Sequence, residues 1–258
     1  MEEKKRRKIE REFGVPIAGE ILEQAQWTNT ALKSLPAEGF LNPQEIFQRK
    51  APLVVDVGCG NGRFLIGSAV WRPDHDHLGA DPLPVVIRYA TRRGNQRGLN
   101  NIRFMVADGL KLVEKLLEPD SVAELHCYHP QPYHDPSKYE ERLITPRFLA
   151  AVHRVLQPSG LLFLQTDSQA YWRYMKDIAE HFFDFRERIG KWPDAPKGRT
   201  RREILSLKRG NTIFRGCGTR KENLSKEQLM NLVGMLPTPT FHTEAHLRKI
   251  DFEEERID

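Results

Sequence analysis

No stretch of this 258-residue chain approaches 18 consecutive apolar residues, so no helix is expected to cross a membrane. The N-terminus, MEEKKRRKIEREF, lacks the apolar core of a secretory signal. Cysteine is scarce. Cys59, Cys127 and Cys217 lie far apart, an odd number with no paired spacing. That argues against a disulfide framework and for a reducing cytoplasm. Neither an internal repeat nor a low-complexity block is present. What remains is 39% hydrophobic and 29% charged, the composition of a soluble globular chain. The length suits one large domain, or one domain with appendages.

The net charge of +5 conceals its distribution. Residues 88–103 carry five arginines (Arg88, Arg92, Arg93, Arg97, Arg103) and no acid. Residues 197–221 carry nine basic residues against Glu203 alone. The two clusters contribute +5 and +8, so the rest of the chain is net −8. Such a division suggests a polyanionic partner met by a chosen surface, with solvated helix faces as the plainer reading.

Residues 1–13 read as a charged, partly helical or frayed arm, and residues 14–50 as a small extension on the main domain. A regular pattern starts at residue 51. Strands are expected at Leu53–Val57, His77–Asp81, Ile102–Val106, Val122–Tyr128 and Leu161–Gln165, the last following a Pro158-Ser159-Gly160 turn. Helices are expected at Arg63–Trp71, Val85–Arg97, Leu110–Glu118, Arg147–Leu156 and Gln169–Phe183. The tail holds a possible strand near Thr212–Phe214 and a helix over Lys226–Leu236. This alternation predicts a largely parallel α/β sheet covered by helices on both faces. Ligands of such sheets bind at the carboxyl ends of the strands.

The first strand runs out through Asp56 into glycines 58, 60 and 62. They let the backbone turn sharply and approach a ligand. The dinucleotide fingerprint is incomplete, because its next glycine is Arg63 here. The spacing instead resembles the glycine loop of methyltransferases that use S-adenosylmethionine. Asp56 would face the methionine ammonium. Asp81, at the second strand end, can accept ribose hydroxyls, and Asp108, at the third, the adenine amino group. Each acid alone would be read as a helix cap. The histidines and cysteine of His126–His134 match no zinc-ligand spacing, so no metal is expected. Pro130-Gln131-Pro132-Tyr133 is a stiff loop that presents a flat amide beside an aromatic ring. The fifth strand ends at Asp167. In Gly198–Glu203, one acid sits among arginines; a carboxylate can pair with the N1–H and amino edge of guanine while arginines hold phosphates.

These segments together resemble the bacterial tRNA (guanine-N7-)-methyltransferase family over roughly residues 38–221. The resemblance rests on Ile46-Phe47 and Ala51-Pro52, the glycine loop, the Pro-x-Pro-aromatic loop, Arg142-Leu143, Phe148, Thr166-Asp167, Tyr171 and Thr200–Glu203. It implies a Rossmann-like class I methyltransferase with a seven-stranded sheet. It implies S-adenosylmethionine as cofactor, tRNA as partner, and methyl transfer to N7 of a guanine in the variable loop. The implied cofactor contacts are Asp56, Gly58, Gly60, Gly62, Asp81, Asp108 and Gln131. The implied substrate contacts are Asp135, Asp167, Thr200, Arg201, Arg202 and Glu203. Where the family reads Pro-Asp-Pro-Trp followed by basic residues, this chain has Pro130-Gln131-Pro132-Tyr133 followed by His134-Asp135.

Guanine N7 carries a free lone pair, so no base must remove a proton before transfer. Alignment is then the main task, worth on the order of 7–11 kcal/mol. Asp167 is the candidate to stabilise the charge passed to the ring, with Gln131 orienting the base. The expected organisation is an arm and extension (1–50), a methyltransferase domain with its basic RNA-binding segment (51–221), and a helical tail packed on it (222–258). Two other readings fit the same residues: methylation of another RNA, or RNA binding on this fold without turnover.

Overall fold

The computed structural model describes residues 9–255. The first eight residues of the expected arm at 1–13 lie outside them. Just after these, β1 (Arg11–Glu12) and β2 (Val15–Pro16) form a short antiparallel hairpin, not a helical or frayed segment. Gly14, with φ of 77°, makes the turn.

The main sheet has seven strands: β3 (Leu53–Val57), β4 (Asp76–Asp81), β5 (Ile102–Val106), β6 (Val122–Tyr128), β7 (Leu156–Thr166), β8 (Phe183–Glu187) and β9 (Phe214–Arg220). Their spatial order is β5-β4-β3-β6-β7-β9-β8. The first five are parallel; β9 runs antiparallel to both β7 and β8. All five residues of β3 are buried, as a central parallel strand covered on two faces requires. Strand order reverses between β3 and β6, and that switch point marks where a ligand crevice opens.

The pleat divides the core. Val55 and Val57 face α5 (Pro146–Val155) and α6 (Gln169–Phe182), through Phe148, Leu149, Tyr171 and Met175. Val54 and Phe104 face α2 (Arg63–Trp71) and α3 (Pro84–Gln96), through Leu65, Ile66, Ile87 and Ala90. Each such large side chain contributes about 1.5–3 kcal/mol when fully buried. The remaining helices are α1 (Pro43–Phe47), α4 (Gly109–Lys111), α7 (Arg201–Lys208), α8 (Lys226–Met235) and α9 (Leu247–Glu255).

Three differences from the sequence reading have local causes. The Pro158–Gly160 turn does not precede the strand; it bulges within β7, where pairing passes from Leu156↔Val122 to Leu161↔Glu124. The last two strands are β8 and β9. β8 was not expected, the preceding helix being read as ending at Phe183, and β9 was expected to be shorter and earlier. The basic segment, for which no helix was expected, contains α7, capped by the Thr200 hydroxyl accepting from Glu203 N–H at 3.0 Å.

The extension is built into the sheet edge. Thr30 and Leu32 exchange backbone hydrogen bonds with Phe104 of β5, both at 2.8 Å. This covers an edge strand that would otherwise present unpaired amides. At the other end of the chain, α8 packs on α5 and α9 on α7. No helix among the described residues is long and apolar enough to cross a membrane.

Candidate active site

A cleft of about 540 Å³ opens at the carboxyl ends of β3, β4, β5 and β6, within the usual size of small-ligand sites. Its floor is the glycine loop. Gly58 and Gly60 have φ of 75° and 51°, and a Cβ on either would point into open space. Their amides and that of Cys59 tie the loop to β4: Gly58 and Cys59 donate to the Ala80 carbonyl at 2.8 and 3.0 Å, and Gly60 donates to Asp81 Oδ2 at 3.1 Å. Gly62 does something else. A Cβ there would come within 2.8 Å of Phe104 and 2.9 Å of Ala90. It lets α2 approach α3 and β5 closely, and it does not line the cleft.

Asp56 lies on the cleft wall and is 2% exposed. No hydrogen-bond donor reaches its carboxylate among the described residues. Burial, with nearby Asp81 adding to it, pushes its pKa up to about 8. Asp81 is also raised by burial, partly offset by the amides of Leu83 and Gly60. Its Oδ1 accepts from Leu83 N–H at 2.9 Å. Asp108 is exposed; it lines the cleft and caps α4 by accepting from Lys111 N–H at 2.8 Å. Three carboxylates thus stand on successive strand ends, one of them buried without a counter-charge.

Across the cleft stands the proline loop. Gln131 is exposed, lines the cleft, and has no partner for its amide among the described residues. His129 and Tyr133 bracket it with φ of 52° and 40°, a left-handed geometry costing on the order of 1–2 kcal/mol per residue. The clamp that sustains this shape is Arg142, only 1% exposed. Its guanidinium donates to the carbonyls of Pro132 at 2.6 Å and of Tyr133, Pro239 and Phe241 at 2.9 Å each. It is sandwiched between the rings of Tyr139 and Phe241, at 3.7 and 4.0 Å. The sequence reading noted Arg142 only as a point of resemblance. Its role depends on residues about 100 positions away, which no local pattern reveals. Asp135 points away from this work: it is exposed and caps the turn at Pro136–Glu141 through Ser137 N–H at 3.0 Å.

The third wall is the start of α7. Thr200, Arg201 and Arg202 line the cleft, but Asp167 and Glu203 do not. Asp167 accepts from Arg202 Nε at 2.7 Å, from His129 at 3.4 Å and from the Ser206 hydroxyl. Burial alone would raise it, but His129 and Arg202 outweigh that and hold it well below the usual carboxylate range. Glu203 is fully buried and pairs with Arg215, accepting also from Gln165 at 3.1 Å and Arg199 N–H at 2.7 Å. The basic segment is therefore largely neutralised by the protein. Arg199 pairs with Asp194, Arg201 with Glu12, Arg202 with Asp167 and Asp251, and Arg220 with Asp120.

The histidines of the β6 region do not converge. His126 stacks on Phe163 at 4.4 Å, and burial lowers its pKa to about 4. His134 bonds to Thr243 and Asp251, each at 2.5 Å. Among the described residues, no group of three or more His, Cys, Asp or Glu could hold a metal ion.

A seven-stranded sheet with a glycine loop at its switch point, flanked by strand-end carboxylates, defines a class I methyltransferase. The orphaned Asp56 fits the ammonium of S-adenosylmethionine, the cofactor of that class. The family model described as "Putative methyltransferase" matches residues 50–215. The chain is 30% identical to the tRNA (guanine-N(7)-)-methyltransferase of Alcanivorax borkumensis over 69% of its own length and 75% of the relative's. It is 31% identical to the enzyme of that name from Rubrobacter xylanophilus, over 68% and 79%. The 16S rRNA methyltransferase KamB shares the fold, with a TM-score of 0.53 at 16% identity over 71% of this chain and 95% of that one. The chain belongs to the tRNA (guanine-N7-)-methyltransferase family, as its sequence motifs imply.

Proposed function

We propose that this chain transfers the methyl group of S-adenosylmethionine to N7 of a guanine in tRNA, in the variable loop as the family resemblance implies. The observation that carries the reading is Asp56, a buried carboxylate without a counter-charge on the wall of a cleft that also presents Asp81, Asp108 and the free amide of Gln131. When bound, S-adenosylmethionine supplies a sulfonium methyl to the N7 lone pair and keeps the electrons of the broken C–S bond as a thioether.

The protein's own residues do the rest. Asp56 holds the ammonium. The lone pairs that Asp81 does not spend on Gly60 and Leu83 accept ribose hydroxyls. Asp108 accepts the adenine amino group, and the exposed side chains of Leu83 and Val85 cover the ring. Gln131 fixes the guanine edge, so that the rate comes from alignment rather than from proton removal. Asp167 acts through Arg202, holding that guanidinium in the cleft wall and not touching the base itself. The narrow role left to Arg201 and Arg202 is a consequence of their pairing: they shape the cleft more than they neutralise phosphates. On this reading the protein acts in the cytoplasm, on the tRNA found there.

Incubation with methyl-labelled S-adenosylmethionine and bulk tRNA, followed by nucleoside mapping, should give label in 7-methylguanosine. Label in another nucleoside, or in rRNA alone, would replace this reading with a different RNA substrate. Tight RNA binding with no transfer would leave only the binding function.

A further inference from the structure

A second groove, of about 560 Å³, lies on the far side of α3 from the cleft. One wall is residues 27–35 of the extension, the other is α3, and the floor is the end of β5. Trp27 is 39% exposed, and its indole N–H is fixed on the Leu22 carbonyl at 3.0 Å. Phe104 and Val106 form an apolar floor, with Val106 43% exposed. Lys33, Arg88 and Arg92 stand around it, and no carboxylate lines it.

These three cations differ from their neighbours. Arg93 and Arg97 are committed to Glu10, and Arg103 donates to three backbone carbonyls, including that of Asn100. Lys33, Arg88 and Arg92 are exposed and have no hydrogen-bond or ion-pair partner among the described residues. An aromatic face ringed by uncommitted cations, with no competing acid, is the chemistry that binds single-stranded nucleic acid: the base stacks and the phosphates meet the cations. An acidic peptide would satisfy the cations but leave the apolar floor unused.

The groove is also placed to serve the cleft. Val85 and Val86 of α3 line the cleft, whereas Ile87 and Arg88 line the groove. At the end of β5, Val106 lines the groove and Asp108 the cleft. Resting on the proposed tRNA reaction, we infer that the groove holds a second nucleotide of the substrate RNA, apart from the guanine that is methylated. Its base lies on Trp27 and the apolar floor, and its flanking phosphates meet Lys33, Arg88 and Arg92.

The test is tRNA binding measured by anisotropy over a range of salt for wild type, Arg88→Gln/Arg92→Gln and Trp27→Leu. Both arginines are exposed and unpaired, so the double variant should fold. Binding of S-adenosylhomocysteine at wild-type affinity checks this and shows that the cleft is intact. The double variant is expected to bind tRNA about tenfold more weakly at moderate salt. Its log–log salt slope should be shallower by about 1.4–1.8, the release of two phosphates' counterions. Trp27→Leu is expected to weaken binding about tenfold with the slope unchanged, because stacking carries no counterion. Affinity and slope within twofold of wild type in the arginine variant would overturn the assignment. So would poly-aspartate competing as well as a single-stranded RNA of equal charge. A wild type that transfers no methyl yet loses tRNA binding in these variants would sink the proposed reaction and support the groove.

Discussion

Asp251 of α9 accepts a hydrogen bond from Arg202 Nη1 at 2.5 Å, and so ties the C-terminal tail to the wall of the cleft. Its other oxygen accepts from His134, four residues past the start of the proline loop. One carboxylate, outside the stretch matched by the family model, therefore fixes two walls of the site at once. Removing it would take one of two paired acids, Asp167 and Asp251, from Arg202 and leave His134 held on that side by Thr243 through its other ring nitrogen. Breaking a pair this buried costs about 3–5 kcal/mol, less where side chains can relax toward water. Asp251→Asn is expected to lower kcat/KM for tRNA at least about tenfold, or ~1.4 kcal/mol. The affinity for S-adenosylhomocysteine should change little, since Asp56, Asp81 and Asp108 lie on other elements. Steady-state kinetics beside a calorimetric titration reads both. Equal losses in the two would mean that Asp251 only supports the fold.

The free carboxylate of Asp56 predicts a specific pH dependence. With its pKa raised to about 8 by burial and by Asp81, it is mostly protonated at neutral pH in the free protein. The ammonium of the cofactor favours the ionised form, so binding must expel a proton. Affinity for S-adenosylhomocysteine, which keeps that ammonium, is expected to rise from pH 6 toward pH 8, by up to about tenfold per unit. It should level off near 8. Folding stability has the opposite slope from this group. Its contribution is fully present below the unfolded carboxyl pKa of about 4 and is lost as pH rises through about 8. Asp56→Asn should flatten both profiles and weaken binding. Titrations in buffers of different ionisation enthalpy should show about one proton released at pH 7. Zero proton release would mean that Asp56 is already ionised or does not meet the ammonium.

The parallel half of the sheet was legible because its signals are local. Leu53–Val57 is an unbroken apolar run ended by glycines, and the structure forms that strand over those residues. Asp56, Asp81 and Asp108 were legible from their spacing at successive strand ends, and all three line one cleft. The basic clusters were only partly legible, because a count of charges does not show which acids face them. Arg93 and Arg201 both reach Glu12, more than 80 residues away from either in sequence. The same blindness applies to Glu203. An acid embedded among arginines suggested a base-reading carboxylate, yet it is buried against Arg215 and the Arg199 amide. Gly62 looked like its neighbours in the loop, but its constraint is the packing of Phe104 and Ala90, which periodicity cannot supply. The hairpin at residues 11–16 escaped notice, and α9 was expected only as part of an undivided helical tail, because neither is stabilised by its own pattern alone. They are held by Arg63 on the Pro16 carbonyl at 2.6 Å and by Arg202 on Asp251.

Gln131 offers the sharpest test of how the proline loop has been tuned. If its amide only orients the base, Gln131→Asp should retain transfer, or improve it, since an aspartate stands there in the family pattern. The surroundings argue otherwise. Glu141 and Asp108 line the same cleft, and Asp135 and Glu140 are exposed on the adjoining turn. Arg142, which clamps the loop, is spent on four backbone carbonyls and is buried between two rings. A new carboxylate at position 131 would thus meet like charge without a partner. Its pKa would rise, and RNA binding would suffer from added negative charge beside the phosphates. The expected outcome is a fall in methyl transfer to tRNA of at least about tenfold, ~1.4 kcal/mol at the transition state, with cofactor affinity changed less. Adding Glu141→Gln to the variant should recover part of the loss, because it removes a charge the new carboxylate faces. A Gln131→Asp protein as active as wild type on the same tRNA would show that the loop is indifferent to charge at this position.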